Sequence, residues 1–297
     1  MKAQDRRTYW RQNTRIQLKL QAKYSKRILK ALQGGIDEII GAYRQDPKRA
    51  VNTPSLWNNE LLKVYNDLYR ETVVLFAKIQ YRRLAKMVKQ TKSLDFEVRY
   101  SLTDSNPNQQ WLLDVNEWLN KNGLQLVTTV TGSQKDKVLE IINQLLQEGV
   151  ERGLGVDKVT SNIIAALKAY KGSTTLQFNA ERIARTETMR ASNIGHIKGA
   201  KAHNFVVVKE WISAVDNRIR RYEKGDDFDH WALDGQQREM WEMFTQQGMK
   251  SGKVASVTAP GGGEDNTAPA AFVINCRCTV AFEPKRDSQG RLIRKIK

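Results

Sequence analysis

The sequence predicts an α+β protein: a basic, mainly helical N-terminal region, then a C-terminal domain of helices with a small β-sheet. Two observations predict it. Apolar residues recur every four positions through much of the first hundred residues, the spacing of an amphipathic helix. Beyond about residue 204 the period shortens and β-branched and aromatic residues gather, as strands require. Charge is unevenly placed, which says nothing of the fold: residues 1–100 carry a net +13, residues 101–283 a net −1 and residues 284–297 a net +5. The implied organisation is a basic helical region over 1–125, a mixed domain over 126–283 and a basic tail over 284–297.

The first helix carries Ile16, Leu20, Tyr24, Ile28 and Leu32 between lysines and arginines, and Gly34 with Gly35 is expected to break it. A second helix is expected from Asp37 to about Tyr43. A longer one runs from about Trp57 to Lys89, with Leu61, Val64, Tyr65, Leu68, Leu75, Phe76 and Ile79 on one face. FEVRYSL reads as a short strand, QQWLLDVNEWL as a short helix, and LQLVTTV as a strand or extended linker. Ser133 and Asp136 form a capping signal for a helix ending near Gly153 or Gly155. Another helix follows from Val156 to Tyr170, closed by Gly172, and a third from about Asn179 to Ala202. On the third, Ala184, Ala191 and Gly195 form a small-residue side suited to close packing. Thr186, Arg190 and Asn193 lie roughly opposite, fit for solvent or for the hydrogen-bonding floor of a pocket. FVVVKEWIS reads as a strand, SGKVASVTAPGGGEDNTAPA as a mobile loop and AFVINCRCTVAF as a second strand. In that strand Cys276 and Cys278 share a face.

Clustered positive charge favours polyanions through counterion release, whatever their sequence. The candidate nucleic-acid contacts are Arg6, Arg7, Arg11, Arg15, Lys19, Lys23, Lys26, Arg27, Arg82 and Arg83. The same residues also suit the solvated faces of long helices. No apolar run reaches the length of a membrane span, and the first residues lack the apolar core of a signal peptide. The expected setting is a cytoplasm or a particle.

The scarce reactive side chains sit together after Arg182. Cys276 and Cys278 are the only cysteines, and a bridge between residues two apart is a strained ring, so a reduced pair is expected. With His230, one of three histidines, they form a candidate zinc set. Three ligands and a C-x-C spacing fall short of the usual closed site, so packed thiols with no cofactor is the favoured reading and zinc the alternative. Asp216, His230 and Asp234, with Arg218, Arg220 and Arg221 for charge stabilisation, are the residues a nuclease reading needs. Nothing in their spacing shows convergence, and P-loop, G-x-S-x-G and H-E-x-x-H motifs are lacking. No catalytic residue is assigned. Arg185 and Glu187, two apart on a helix, cannot pair with each other. Each is expected to reach a partner elsewhere, Arg185 to Asp216 or Asp234, in a structural role.

The order ARTETMRASNIGHIKGAKA, KEWISAVDNRIR, DHWALDGQ, a Gly/Pro-rich gap and INCRCTVAF resembles the phage Mu F-like minor head proteins, over roughly residues 130 to 283. The recurring elements of that family fall here on Arg185, Thr186, Glu187, Trp211, Asp216, Arg218, His230, Leu233, Gly235, Asn275, Cys276 and Cys278. The resemblance makes 126–283 a head morphogenesis domain. It implies a minor head protein in the virion, in the head interior near the portal, acting in head assembly and DNA packaging or ejection. It also implies the portal protein, other head proteins and double-stranded DNA as partners. Some relatives carry enzyme domains after this core. Nineteen residues follow Cys278, too few for another domain, so no enzymatic activity is expected. A nuclease-like enzyme built on Asp216 and His230, and a plain non-specific DNA-binding protein, are the alternatives.

Overall fold

A computed structural model describes residues 1–45, 56–90, 107–264 and 268–295. The α-helices are α1 (Ala3–Gln45), α2 (Leu56–Gln90), α3 (Pro107–Glu151), α4 (Val156–Lys171), α5 (Thr174–Lys201) and the short α6 (Ala270–Val273). The strands are β1 (Val207–Ile212), β2 (Gln237–Glu239), β3 (Phe244–Gln247), β4 (Val254–Val257) and β5 (Thr279–Pro284). Strand β1 is the centre of an antiparallel sheet of order β2-β1-β5, and β3 pairs with β4 in a separate antiparallel ribbon. Its pairing with β5 runs from Val207 opposite Pro284 to Ile212 opposite Thr279. The chain is therefore α+β, with its helices weighted to the N-terminal side.

The chain forms two compact units, each assembled from separated segments. One comprises residues 1–20, 68–116 and 185–297; the other comprises 21–67 and 117–184. The second is wholly helical among its described residues. It buries Tyr24, Ile28, Leu32, Ile36 and Ile40 of α1, the period-four series continued past Gly35. The first unit carries all five strands and the candidate site. Its core gathers Tyr9, Trp10, Leu84, Trp211, Phe228, Phe244, Phe272, Phe282 and both cysteines.

Several expectations need correction. Gly34 and Gly35 do not break α1. Each glycine costs a helix only about 1 kcal/mol relative to alanine, and burial of Ile36 and Ile40 offsets that. The expected separate helix from Asp37 is the end of α1. LQLVTTV is neither strand nor linker, since α3 runs unbroken from 107 to 151, through the expected capping signal at Ser133. The reading of FEVRYSL lies outside the described residues.

The Gly/Pro-rich stretch is not a simple loop. It contributes β4 and a buried 3₁₀ turn at Pro260–Gly262. AFVINCRCTVAF is not one strand. Pro269 opens α6, Asn275 turns the chain with φ 59°, and β5 begins only at Thr279.

Within the first unit α5 lies hard against α2. A Cβ on Gly195 would come 2.6 Å from the Val73 carbonyl oxygen and 2.8 Å from the Phe76 Cβ. Only glycine permits that approach, as the small-residue side of the helix suggested.

A candidate metal centre beside an arginine-lined cavity

The polar side of α5 organises the site. Thr186, Glu187, Arg190 and Asn193 are all buried, so this face meets protein and not solvent. The Asn193 side chain makes four hydrogen bonds. Its Oδ1 accepts from the Val280 N–H at 3.0 Å and the Thr279 hydroxyl at 3.1 Å. Its Nδ2 donates to the carbonyls of Pro260 at 2.9 Å and Cys278 at 3.3 Å. Arg190 donates to the Gly261 carbonyl and pairs with Glu187 at 3.2 Å. Glu187 also accepts from the Tyr69 hydroxyl. These bonds satisfy groups that would otherwise be buried and orphaned.

Arg185 and Thr186 act together on one residue. Arg185 donates to the Asn275 side-chain oxygen at 3.1 Å, and the Thr186 hydroxyl accepts from the Asn275 backbone N–H at 3.1 Å. Asn275 is held between them in the left-handed conformation that asparagine tolerates better than most residues. That turn delivers Cys276, Arg277 and Cys278 to the site. The expected partners of Arg185 are engaged elsewhere. Asp216 pairs with Arg277 at 3.6 Å and Arg218 at 3.7 Å. Asp234 pairs with Arg6 at 3.2 Å and accepts from the Ser213 N–H. Gly235, at φ 75°, gives its N–H to the Trp211 carbonyl.

Cys276, Cys278 and His230 converge. Each cysteine is a free, buried thiol, and their sulfurs lie 3.6 and 3.7 Å from His230 Nδ1. The three candidate ligand atoms all lie within 4.8 Å of one another. His230 is gripped by its backbone, through the Arg220 carbonyl and the Ser213 hydroxyl. Its ring packs on Trp211 at 5.5 Å and Phe272 at 4.6 Å. Its Nε2 is buried and has no hydrogen-bond partner among the described residues, so packing sets the ring's orientation.

The thiols differ in acidity. A hydrogen bond from Cys278, with His230 alongside, holds Cys276 well below the ordinary thiol range. Burial, then the hydrogen bond with Cys276 and its charge, pushes Cys278 well above it. Metal binding to such a set would displace the thiol protons.

A cavity of about 270 Å³ opens over this cluster, walled by His230, Cys276 and Cys278 and by Arg185, Arg218, Arg220 and Arg277. Arg220 is tied to the Phe272 and Ile274 carbonyls. A second cavity of similar size shares Ala214 and Ile219 with the first. Arg7, Arg11, Arg221 and Trp231 line it, with the Arg221 guanidinium 4.4 Å from the Trp231 ring centre. The contribution of Arg185 and Arg277 to one cationic wall is not visible in sequence, because only the turn at Asn275, 90 residues from Arg185, brings the two together.

Asp216 and His230 do not meet. Asp216 engages Arg218 and Arg277, whereas the His230 ring nitrogens find only the two sulfurs. The paired acid–base geometry that a nuclease reading needs is not present in this arrangement.

Among the proposed nucleic-acid contacts, Arg7, Arg11, Arg15, Lys19 and Arg82 are exposed in the first unit, and Lys23 and Lys26 in the second. Arg6 is half-buried in ion pairs with Asp234 and Glu210. Arg83 is half-buried, donating to the Phe282 carbonyl over the Tyr9 ring. Arg27 pairs with Asp67. Those three are thus committed to the fold.

Residues 140–281 match the family described as Phage Mu protein F like protein. Over those residues, a little under half of the sequence, the chain is similar to phage Mu F-like proteins. That similarity suggests a phage head morphogenesis protein, with a virion location and other phage head proteins as partners. It is a family of structural head proteins. No curated protein and no solved structure matches the chain. No helix among the described residues is long and apolar enough to cross a membrane.

Proposed function

We propose that this Mu F-like chain is a minor head protein that sits inside the head near the portal and contacts the packaged DNA without reading its sequence. The family match carries the head-protein reading. The DNA contact rests on charge placement. Arg7, Arg11, Arg15 and Lys19 stand four apart on α1 and are exposed, which makes a cationic stripe along one side of a helix. Arg7 and Arg11 also share a cavity wall with Arg221 and the half-exposed Trp231. Arginines track phosphates, and an exposed indole stacks on bases or sugars. No base-reading motif accompanies them, so the contact is to the backbone.

The test has two arms. In a gel-shift titration of the full-length protein, duplexes of unrelated sequence should bind equally, with affinity falling steeply as salt rises. Reversing Arg7, Arg11 and Arg15 to glutamate should weaken binding at least about tenfold by removing three cationic contacts. Binding that ignores salt, or a triple variant that binds as well as the parent, would sink the DNA contact. For location, mass spectrometry of purified particles should find the chain at a few copies per head and cross-linked to the portal. A chain missing from particles, or found only on their exterior, would overturn the placement.

A further inference from the structure

We infer that His230, Cys276 and Cys278 bind one zinc ion through three protein ligands, with the fourth coordination position open to the arginine-lined cavity.

Geometry carries the inference. Zinc binds thiolate at about 2.3 Å and imidazole at about 2.0–2.1 Å, which at a tetrahedral angle sets sulfur and nitrogen about 3.6 Å apart. The two sulfurs here lie 3.6 and 3.7 Å from the same imidazole nitrogen. Thiol–imidazole hydrogen bonds have the same length, so what points to a metal is the convergence of both sulfurs on one imidazole nitrogen, with all three ligand atoms within 4.8 Å of one another. All three are about 1% exposed, and all three also line the cavity, so an ion there would be shielded by protein on one side and reachable from the other.

Charge balance agrees. Two thiolates, a neutral imidazole and Zn²⁺ sum to zero, which avoids the cost of burying an unpaired charge. The arginines around the cavity then favour an anionic or strongly polar oxygen in the fourth position. The clamp on Asn275 is what supports the set. In strand geometry the two cysteines would share a face, but nothing would fix their distance from His230. The left-handed turn held by Arg185 and Thr186 fixes the chain just before Cys276, and the Asn193 bond to the Cys278 carbonyl fixes it just after Arg277. Histidine ligands usually donate their second nitrogen to a carbonyl or carboxylate. Here the rings of Trp211 and Phe272 orient the imidazole instead. This is a different requirement from DNA contact, and it stands or falls apart from it.

The experiment is elemental analysis of the full-length protein purified without chelator. The expected result is about one zinc per chain, and less than a tenth of that in a Cys276→Ser/Cys278→Ser double variant. Because that variant can fail to fold, the parent protein is also stripped and titrated with cobalt(II). A sulfur-to-cobalt charge-transfer band that saturates at one equivalent, together with tetrahedral ligand-field bands, supports the site. Inorganic phosphate, added as the probe of the open position, should change the ligand-field bands. Failure of phosphate and azide alike to move them would show a fourth protein ligand and overturn the open position. Metal below a tenth of an equivalent, with no cobalt band in a protein that remains folded by circular dichroism, would overturn the site altogether. Iron or copper in place of zinc would overturn the metal's identity.

Discussion

The two compact units stabilise themselves in different ways. Among the described residues, eighteen polar or charged side chains are buried, and all but Gln134 belong to the unit that holds the sheet. The helical unit is an apolar ladder, repeated every three or four residues on α1 and its companions. Such a ladder is degenerate: many sequences of similar pattern and volume satisfy it. A buried polar network is not degenerate, because each donor needs a particular acceptor at a particular place. The unit that accepts that constraint is also the one with the histidines, the thiols and the cationic cavities.

The comparison is most exposed to a change at Asn193. Replacing it with leucine would leave the Val280 N–H and the Pro260 and Cys278 carbonyls without a partner. Uncompensated buried polar groups cost about 1–3 kcal/mol each, so a loss of about 4 kcal/mol is expected. Urea unfolding followed by tryptophan fluorescence would read it. A loss below about 1 kcal/mol would erase the distinction between the units, since ordinary surface substitutions reach half that size.

Acid should act on the same unit. Burial lowers the His196 pKa to about 3 and the His203 pKa to about 4; Arg83 beside His196 and Lys295 beside His203 lower them further, while the Tyr81 carbonyl bond to His203 pulls against its fall. Both values lie below the unfolded value near 6.5, so the unfolded chain binds more protons as pH falls. The stability they contribute is present above about pH 6.5 and is lost progressively as pH drops toward their folded pKa values. Together they should cost about 3 kcal/mol between pH 7 and pH 5. Thermal melts across that range would check this, and His203→Gln should flatten part of the slope. A melting temperature that does not fall would refute the depressed values.

The smallest effect belongs to the helical unit. Ile28 is fully buried there, and Ile28→Val should cost about 1 kcal/mol through a lost methylene and a small cavity. A cost above about 3 kcal/mol in the same urea experiment would mean that the apolar ladder is as exacting as the polar network.

The same contrast explains what the sequence disclosed. Period-four spacing revealed α1, α2, α4 and α5, because an amphipathic face is a local property. It did not reveal that α1 continues through Gly34 and Gly35, which depends on what Ile36 and Ile40 bury against. The strand at FVVVKEWIS was legible from its β-branched residues, and β1 occupies 207–212. VINC and TVAF are both rich in strand formers, but only TVAF lies in a strand, β5. VINC instead holds the left-handed turn at Asn275, fixed by Arg185 and Thr186 from a distant part of the sequence. For the candidate site, the residue types were legible from their scarcity. That His230 meets both sulfurs, and that Asp216 does not join them, required tertiary contacts which no spacing encodes. The cationic wall was half legible: the Arg218–Arg221 run stands out, but Arg185 and Arg277 join it only through the fold.

The Tyr9 hydroxyl donates to the Val280 carbonyl and the Trp10 indole to the Arg277 carbonyl. The first turns of α1 are thus tethered to a part of the chain that the ribosome makes 267 or more residues later. While synthesis proceeds, residues 21–67 and 117–184 can assemble as soon as they emerge, but Tyr9 and Trp10 must wait with their rings in water until β5 is available. Such long-range closure is slow, and it leaves apolar surface exposed meanwhile. A nascent chain stalled before residue 276 should therefore display a sticky amino terminus and be a client for chaperones, whereas one released after β5 should not.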